Sequence, residues 1–422
     1  MNNNNANNSN GAAPIGGNCL FQVPKGKAVR LPQGADFLHP KGAKRSRTKA
    51  PSGVVFLSAL TVYMEKDYFD DAMSYGSLRD ALRLACRGVR WKDSVVGYEL
   101  HATQNTQKLL QEIRGGTYRI SPYQLFTIYE PKKREIVATR IRDRQVQMAL
   151  CRGGLYEDIT EHFIHDNCAC QNGKGTDFAL KRVKTHLRRY YQKHGPDGWV
   201  LKCDIKKFFP NTPHDTAKRA IEKRVSDPKA RQMVFSVIDS FDGDRGIGLG
   251  SQISQLVELA VLDDLDHFIK ERLRVKFYER SVDDFILIHE SKDYLKSCWT
   301  AIDGLLHEKG LELNAKTKLY PLRQGVNFLQ WRFILTDTGK IVMKMNAAKV
   351  GRERQRIRKL AAKEAAGLIP EGTTWNSVQS WMGNAMRGDS YFRVRRMREY
   401  YMNIMGRYAD GNGTGTAFES GA

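Results

Sequence analysis

Three aspartates stand where the sequence changes abruptly from apolar to polar. Asp204 ends an apolar run that begins at Trp199, and Asp283 and Asp284 separate two short apolar runs within residues 276–288. The second pattern predicts two strands joined by a tight turn with both carboxylates at its tip. Adjacent carboxylates repel each other, and a hard divalent cation with oxygen ligands commonly holds such a pair together. A solvated turn is the alternative for an isolated Asp-Asp pair.

The upstream aspartate makes metal binding the favoured interpretation. Asp204, Asp283 and Asp284 would place three carboxylates on neighbouring strands of one sheet. Two-metal phosphoryl transfer needs such a set, with two ions about 4 Å apart, one at the attacking hydroxyl and one at the leaving phosphate. The stretch between the two motifs is long enough for a helical excursion between strands.

Several blocks, in order, resemble those of reverse transcriptases. Residues 204–209 read DIKKFF and resemble the first catalytic block, while residues 281–284 read SVDD and resemble the Tyr-x-Asp-Asp block, with serine for tyrosine. The resemblance runs from about residue 75 to about residue 407. It is greatest to the bacterial enzymes of diversity-generating retroelements and their defence-associated, group II intron-like relatives. It implies an α+β, right-hand polymerase fold with fingers, an antiparallel palm sheet and a helical thumb.

The resemblance also implies how the acidic site works. Asp204, Asp283 and Asp284 would be catalytic and, together with Ile205, would bind two Mg²⁺ ions, with Mn²⁺ as an alternative ion. Lys316 would protonate or neutralise the departing pyrophosphate, with Lys318 as a rival for that role.

Other residues would contact the incoming dNTP. Lys133 and Arg134 lie in a basic turn between two predicted strands and, by the resemblance, clamp phosphates. An exposed basic turn explains them equally well. By the same resemblance, Phe209 would be a steric gate that excludes a 2′-hydroxyl.

Leu249 and Gln255 carry the subfamily signal. Most reverse transcriptases have Gln-Gly and Ser-Pro at the positions of residues 249–250 and 254–255, whereas this chain has Leu-Gly and Ser-Gln, as in the diversity-generating lineage. Leu249 offers only van der Waals contact where glutamine could test the base pair by hydrogen bonding. The sequence therefore supports the hypothesis of an error-prone polymerase.

Basic residues outside the acidic site predict contacts with nucleic acid, and a solvated basic surface is the alternative. Lys174 and Lys181 belong to a block that the family uses near the template, although Gln171 replaces an expected arginine. Arg352, Arg356 and Lys359 belong to a strongly basic helix that would grip a duplex backbone. Gln330 replaces an expected glycine in the hairpin that resembles the primer grip.

The resemblance and composition together predict the domain organisation. The expected units are a low-complexity and basic extension (1–75), fingers (76–198), palm (199–335), basic helical thumb (336–408) and a flexible tail (409–422). Within the palm, residues 256–272 are predicted to form one long helix. Asp263, Asp264 and Asp266 are expected on its solvent-facing side.

Composition narrows the possible partners. The 422 residues include 68 Lys and Arg against 46 Asp and Glu, and the net charge of +22 favours a polyanionic partner. The sequence contains no stretch of about 18 apolar residues, so no membrane span is predicted. The Asn-rich start is not a secretory leader. Seven cysteines without paired zinc spacing favour reduced thiols and a cytoplasmic location.

The leading functional prediction is an error-prone, RNA-directed DNA polymerase of a diversity-generating retroelement. Its partners would be template RNA, the cDNA/RNA hybrid, dNTPs and a small helical accessory protein. The first alternative is an antiphage defence reverse transcriptase that acts with a dedicated non-coding RNA, which Ser281 and the N-terminal extension favour. An RNA-binding scaffold with an inactive polymerase fold is the alternative from another class, and the intact acidic triad argues against it.

Overall fold

The computed structural model describes residues 67–129 and 133–409. Three predicted segments lie largely outside these residues: the N-terminal extension, the first part of the basic turn and the tail. Residues 67–75 of the extension are described, and they pack into the fold. The backbone N–H groups of Tyr68 and Phe69 both donate to Asp227 Oδ2 at 2.8 Å. The folded region therefore begins before the boundary predicted at residue 75.

The predicted fingers consist of helices around a small hairpin. The helices are α1 (Phe69–Ala72), α2 (Tyr75–Ala85), α3 (Asp93–Leu100), α4 (Ala102–Arg114), α5 (Ile141–Leu150), α6 (Tyr156–Thr160) and α7 (Thr176–His194). The antiparallel hairpin is β1 (Gln124–Ile128) and β2 (Arg134–Ala138). A π-helical turn over Cys151–Leu155 joins α5 to α6.

A four-stranded antiparallel sheet forms the centre of the fold. Its strands are β3 (Trp199–Asp204), β4 (Phe277–Ser281), β5 (Asp284–His289) and β6 (Lys318–Pro321), in the order β4-β5-β3-β6. Alternate side chains face opposite sides of a strand. Leu201 and Cys203 therefore enter one apolar cluster, and Val200 enters the other. Both faces of the sheet are covered, which fixes the register of the acidic residues at its edge.

The predicted palm also contains six helices: α8 (Phe208–Asn211), α9 (His214–Glu222), α10 (Pro228–Asp239), α11 (Gln252–Val261), α12 (Asp263–His267) and α13 (Lys292–Glu308). The single helix predicted over 256–272 is interrupted at Leu262 and ends in a π-helical turn. The expectation that all three aspartates of this segment face solvent is wrong. Asp263 and Asp266 are fully buried, and each pairs with an arginine from another part of the chain.

A second antiparallel sheet follows the palm sheet, with strands β7 (Val326–Phe328), β8 (Trp331–Leu335) and β9 (Ile341–Met345). Leu329 and Gln330 form the turn between β7 and β8 with φ of +46° and +72°. This left-handed conformation disfavours side chains with a Cβ and explains why glycine is the expected residue at position 330.

Three helices complete the described chain: α14 (Ala347–Ala365), α15 (Thr373–Ala385) and α16 (Tyr391–Ala409). A short connection separates α15 from α16. The connection is tied to β9, because the backbone N–H of Asp389 donates to the Met343 carbonyl at 2.8 Å and its carboxylate accepts from the Met343 N–H at 2.7 Å. Packing against the second sheet thus positions the basic helices.

The described elements are mixed helices and antiparallel sheets, so the predicted α+β class is confirmed. The six cysteines in the described residues are all buried. In the same residues, no helix combines the length and apolar character needed to cross a membrane.

Candidate active site

Strand pairing places the three predicted catalytic aspartates at neighbouring strand ends. Asp204 at the end of β3 is the direct partner of Asp284 at the start of β5. The backbone N–H of Ile205 donates to the Asp283 carbonyl at 3.3 Å, which joins the tip of the β4–β5 hairpin to the end of β3. The predicted hairpin with carboxylates at its tip is therefore present, and Asp204 lies beside it.

A strained turn presents Asp283. Val282 adopts φ of +58°, a conformation that is uncommon for a β-branched residue. The Arg280 guanidinium supports the turn from below by donating to the Val282 carbonyl at 2.9 Å. Arg280 is itself held by both carboxylate oxygens of Asp266, at 2.7 and 2.6 Å. The buried Arg280–Asp266 pair therefore positions the hairpin tip, a role that the sequence alone did not reveal.

The electrostatics of the three aspartates favour a bound cation. Burial raises the pKa of Asp284 to about 6, and repulsion from Asp283 and Asp204 adds to the rise. Burial and repulsion from Asp204 also raise the pKa of Asp283, while Arg134 and Arg280 oppose the rise. Asp284 Oδ1 is buried without a hydrogen-bond partner. A cation would relieve the repulsion and satisfy this oxygen.

Lys202 supports the site in a way the sequence analysis missed. Its ammonium lies 3.3 Å from Asp284 Oδ2 and donates to the Asn327 carbonyl at 3.0 Å. It stands two residues before Asp204 on the same strand, so both side chains project to the same face of the sheet. Lys202 thus connects Asp284 to the β7–β8 hairpin. The period-2 spacing from Asp204 was a signal that could have identified it.

A fourth carboxyl group lies beneath the site. Glu258 on α11 is fully buried, and its Oε2 accepts from the Thr212 hydroxyl at 2.9 Å. Burial raises its pKa well above the ordinary value, and the charge of Asp283 adds to the rise. The raised pKa favours the protonated, uncharged form of Glu258, which would lessen repulsion with the aspartates.

Lys316 belongs to a segment that runs antiparallel to the end of β3. The backbone N–H of Asn314 donates to the Asp204 carbonyl at 2.7 Å, and that of Lys206 donates to the Glu312 carbonyl at 2.9 Å. Lys316 follows this contact and is exposed. Ile205 is bridged to Leu313 and has a buried side chain, so only its backbone carbonyl could serve as an ion ligand.

The fingers hairpin reaches the predicted nucleotide site through backbone contacts. The Val137 N–H on β2 donates to the Leu249 carbonyl at 3.1 Å. A Cβ added at Gly250 would approach the Val137 carbonyl to 2.8 Å, so glycine allows this close packing. Lys133 and Arg134 are exposed, and the charge of Arg134 acts on Asp283.

Phe209 and Gln255 approach the same loop. The Phe209 carbonyl accepts from the Ile247 N–H at 2.8 Å, and its ring is half-buried, whereas Phe208 is core. Gln255 is half-buried on α11, and its Oε1 lacks a hydrogen-bond partner. The structure therefore connects Phe209, Leu249 and the fingers hairpin in one group.

The predicted template block is largely structural. Lys174 is half-buried, and its ammonium donates to the carbonyls of Asn167 at 3.1 Å and Ile164 at 3.4 Å. Gln171 is buried and donates to the Asn167 carbonyl at 2.8 Å. Both side chains hold the loop before α7 through these hydrogen bonds. Lys181 on α7 is exposed.

Three of the charged residues on the predicted basic helix form a row along one side. Arg352, Arg356 and Lys359 are exposed on α14, with the three- and four-residue spacing that places side chains on one helix face. Ile357 and Ala361, on the opposite side, enter the core of the predicted thumb. The row defined by Arg352, Arg356 and Lys359 is hereafter the basic row.

Metal binding would require the aspartates to be drawn together. Across residues 67–129 and 133–409, no three His, Cys, Asp or Glu side chains converge as ligands of one ion. The unsatisfied oxygen of Asp284 and the mutual repulsion of the triad nevertheless fit a hard divalent cation better than any neutral occupant.

Comparison with known proteins places this site within a known domain. Residues 131–333 match the family model described as reverse transcriptase (RNA-dependent DNA polymerase). Protein YkfC of Escherichia coli (strain K12) is 25% identical over 179 residues, which cover 39% of this chain and 45% of YkfC. Group II intron-encoded protein LtrA of Lactococcus lactis subsp. cremoris is 24% identical over 191 residues, covering 42% of this chain and 30% of LtrA. The matches thus span less than half the length of either relative.

Solved structures of telomerase are also similar. Apo telomerase from Candida tropicalis gives a TM-score of 0.43 at 13% identity, covering 68% of this chain and 62% of that chain. Telomerase from Candida albicans, in complex with a fragment of telomeric RNA, gives a TM-score of 0.44 at 12% identity, covering 73% of this chain and 59% of that chain.

Residues 131–333 are therefore similar to the reverse transcriptase domains of RNA-dependent DNA polymerases. The right-hand polymerase fold expected from the sequence agrees with this family match. The match includes β2, β3 and the β4–β5 hairpin, and it ends within β8, before α14.

Proposed function

We propose that this protein extends a primer with dNTPs on an RNA template and uses two magnesium ions at Asp204, Asp283 and Asp284. The observation that carries the proposal is the register of the palm sheet, in which Asp204 pairs directly with Asp284 at the tip of the β4–β5 hairpin. Two ions bound there would lower the pKa of the primer hydroxyl and neutralise the leaving phosphate.

The chain's own residues supply positioning and charge. Arg280 fixes the turn that presents Asp283, and Lys202 orients Asp284. Arg134 on the fingers places positive charge toward the triad, where the triphosphate of a dNTP would need it. Lys133 is the second cation of this group. Lys316 would protonate or neutralise the pyrophosphate, with Lys318 as its rival.

Magnesium binding should depend on pH. Because the pKa of Asp284 is raised to about 6, its carboxyl is protonated below that pH and becomes a ligand above it. As the pH rises toward this pKa, we expect the half-saturating magnesium concentration to fall by up to about tenfold per pH unit. Above this pKa, the concentration should level off. Calorimetric titration of the protein with magnesium tests this without relying on turnover. A binding curve that does not change between pH 5 and 7, about one unit on either side, would contradict it.

Phe209 should select deoxynucleotides. Its ring is half-buried beside the 246–250 loop, where a flat side chain can pack under the sugar. We expect Phe209→Ala to raise the ratio of ribonucleotide to deoxynucleotide incorporation about 10²-fold, because the space for a 2′-hydroxyl is then open. Single-nucleotide extension kinetics measure the ratio. Phe209→Tyr keeps the ring and should leave selection unchanged, and equal ratios for both variants would remove Phe209 from this role.

Leu249 should set the error rate. Its carbonyl holds β2, so a change of side chain leaves that backbone contact in place. A glutamine amide that tests the base pair with one hydrogen bond, worth about 1.4 kcal/mol, would lower misincorporation about tenfold. We therefore expect fewer errors from Leu249→Gln in a product-sequencing assay. Leu249→Met is the matched control without a hydrogen bond, and an error rate in Leu249→Gln equal to this control counts against the hypothesis.

The proposed biological role is diversification of a target gene by error-prone copying of a template RNA. The Leu249 and Gln255 pattern supports it. A defence role with a dedicated non-coding RNA is supported instead by Ser281, which is smaller than the usual tyrosine, ends β4 opposite Asp284 and leaves room for unusual priming. Neighbouring genes distinguish the two roles, because a template/variable repeat pair and a small helical accessory protein accompany diversification.

Primer extension tests the proposed reaction. A DNA primer annealed to an RNA template should be extended by the full chain only with magnesium, or with manganese in its place, and with dNTPs. The product should be the complement of the RNA. The proposal would be overturned if the protein binds the primer–template but extends no primer on any RNA template.

A further inference from the structure

A basic cavity lies between the first turns of α14 and α16. Its volume is about 280 Å³, and its lining consists of Ala347, Val350, Gly351, Arg354, Arg393 and Arg396. None of these three arginines forms an ion pair with a carboxylate among the described residues. Three guanidinium groups around one opening repel each other, so the cavity is suited to an anion.

Two of the arginines are already held in place. The Arg393 guanidinium donates to the Met345 carbonyl at the end of β9. The Arg354 guanidinium lies over the Tyr400 ring, 5.2 Å from its centroid. At the cavity wall, a Cβ added at Gly351 would have no atom within 4 Å. The cavity is therefore open and partly preorganised, which lowers the entropic cost of binding.

The cavity is separate from the basic row. With 3.6 residues per turn, Arg354 lies on the side of α14 that also carries the buried Ile357, about half a turn from Arg352 and Arg356. A nucleic-acid strand on the basic row would therefore leave the cavity free. The two surfaces are candidates for different strands or for different parts of one RNA.

An exposed aromatic side chain stands beside the cavity. Phe392 is 71% exposed and lies one helical turn before Arg396 on α16. Tyr391, its neighbour, is 74% exposed and contacts it edge to face, with ring centroids 5.4 Å apart. An exposed ring next to a basic opening is the usual combination for single-stranded nucleic acid, in which bases are free to stack.

We propose that this cavity binds one backbone phosphate of a single-stranded RNA segment and that Phe392 stacks on an adjacent base. The choice of RNA rests on the proposed function, because an RNA-directed polymerase must hold unpaired template or a structured partner RNA. Arg396 supplies the exposed guanidinium fork, and Arg354 and Arg393 supply the fixed charges.

Salt-dependent binding of a short unpaired RNA tests the phosphate site. We expect Arg354→Gln/Arg396→Gln to weaken binding several-fold and to reduce the slope of log K against log [salt] by about 0.7, the value for one phosphate on a single strand. The control is Arg83→Gln/Arg87→Gln, which removes two exposed positive charges from the fingers. Equal changes in the two double variants would overturn the proposal.

Gly351 provides a second test that does not remove an arginine. Gly351→Glu places a carboxylate at the cavity wall and should compete with the phosphate, whereas Gly351→Ala leaves the cavity open and favours the helix. We expect weaker RNA binding only in Gly351→Glu. Equal binding by both variants would contradict the site, and their melting temperatures show that both are folded.

The nature of the ligand is tested by changing the probe. Phe392→Ala should weaken binding of unpaired RNA several-fold and leave binding of a blunt RNA duplex unchanged. Equal losses for both probes would reject stacking on a base. Inorganic phosphate at matched ionic strength should compete poorly, since strong competition would assign the cavity to a free phosphate. Extension of a short primer–template at saturating concentration reports the polymerase separately, so failure of one proposal is distinguishable from failure of the other.

Discussion

Asp283→Asn should reduce primer extension by about 10³-fold or more while leaving the protein folded. The substitution removes one of the carboxylates that would hold the ions and keeps the shape of the side chain. Because the pKa of Asp283 is raised, the folded protein holds its charged form at a cost. The neutral amide should therefore unfold at the same or a slightly higher denaturant concentration.

The control for this variant is Asp242→Asn, which changes the same chemical group in an exposed loop. Rates of single-nucleotide addition and denaturant midpoints should be measured for both. Substantial extension by Asp283→Asn would remove this residue from the catalytic site. A loss of activity accompanied by unfolding would reject the prediction that the carboxylate is unfavourable for stability.

Asp266→Asn should destabilise the protein by about 3–5 kcal/mol, the usual cost of leaving a buried charge without its partner. Arg280 and Asp266 are both fully buried, and the contact is bidentate. Tyr278 also donates to Asp266 Oδ1 at 2.5 Å, so one carboxylate serves two buried groups. Urea or guanidinium unfolding measures the change.

An exposed ion pair provides the matched control. Arg323 and Asp197 form a contact of the same type, but their side chains are 70% and 66% exposed. Arg323→Gln should therefore cost less than about 1 kcal/mol. A similar small cost for Asp266→Asn would show that the Arg280–Asp266 pair does not support the hairpin tip.

The acidic site was largely predictable from local patterns. Asp204 ends an apolar run, and Asp283 and Asp284 interrupt another, so the chain itself indicates two strand ends that carry carboxylates. The strands do pair at those residues. The prediction succeeded because strand alternation and turn chemistry are short-range properties.

The groups that support the site were not predictable in the same way. Asp266 was expected on a solvent-facing side of a helix, because charged residues are rarely buried without a partner. Its partner, Arg280, comes from β4. Glu258 gave no signal, since its partner Thr212 lies 46 residues away. Such pairs depend on tertiary packing, which the local pattern of polar and apolar residues does not contain.

In the template block, tertiary contacts that the sequence does not reveal involve a residue predicted to contact nucleic acid. Lys174 was predicted to contact nucleic acid from its charge and its neighbouring glycines. In the fold, its ammonium satisfies backbone carbonyls of the loop before α7, and burial lowers its pKa. A lysine whose donors are used within the protein cannot be distinguished from a free one by sequence alone.

Sequencing of the nucleic acid that co-purifies with the protein tests the central claim most directly. The active chain should be compared with the Asp283→Ala/Asp284→Ala variant. We predict DNA complementary to an RNA in the first sample and RNA without that DNA in the second. Misincorporations biased to one template base would support diversification, and faithful or repetitive copies of one structured RNA would support defence. Bound RNA with no DNA in either sample would contradict polymerase function and indicate an RNA-binding scaffold.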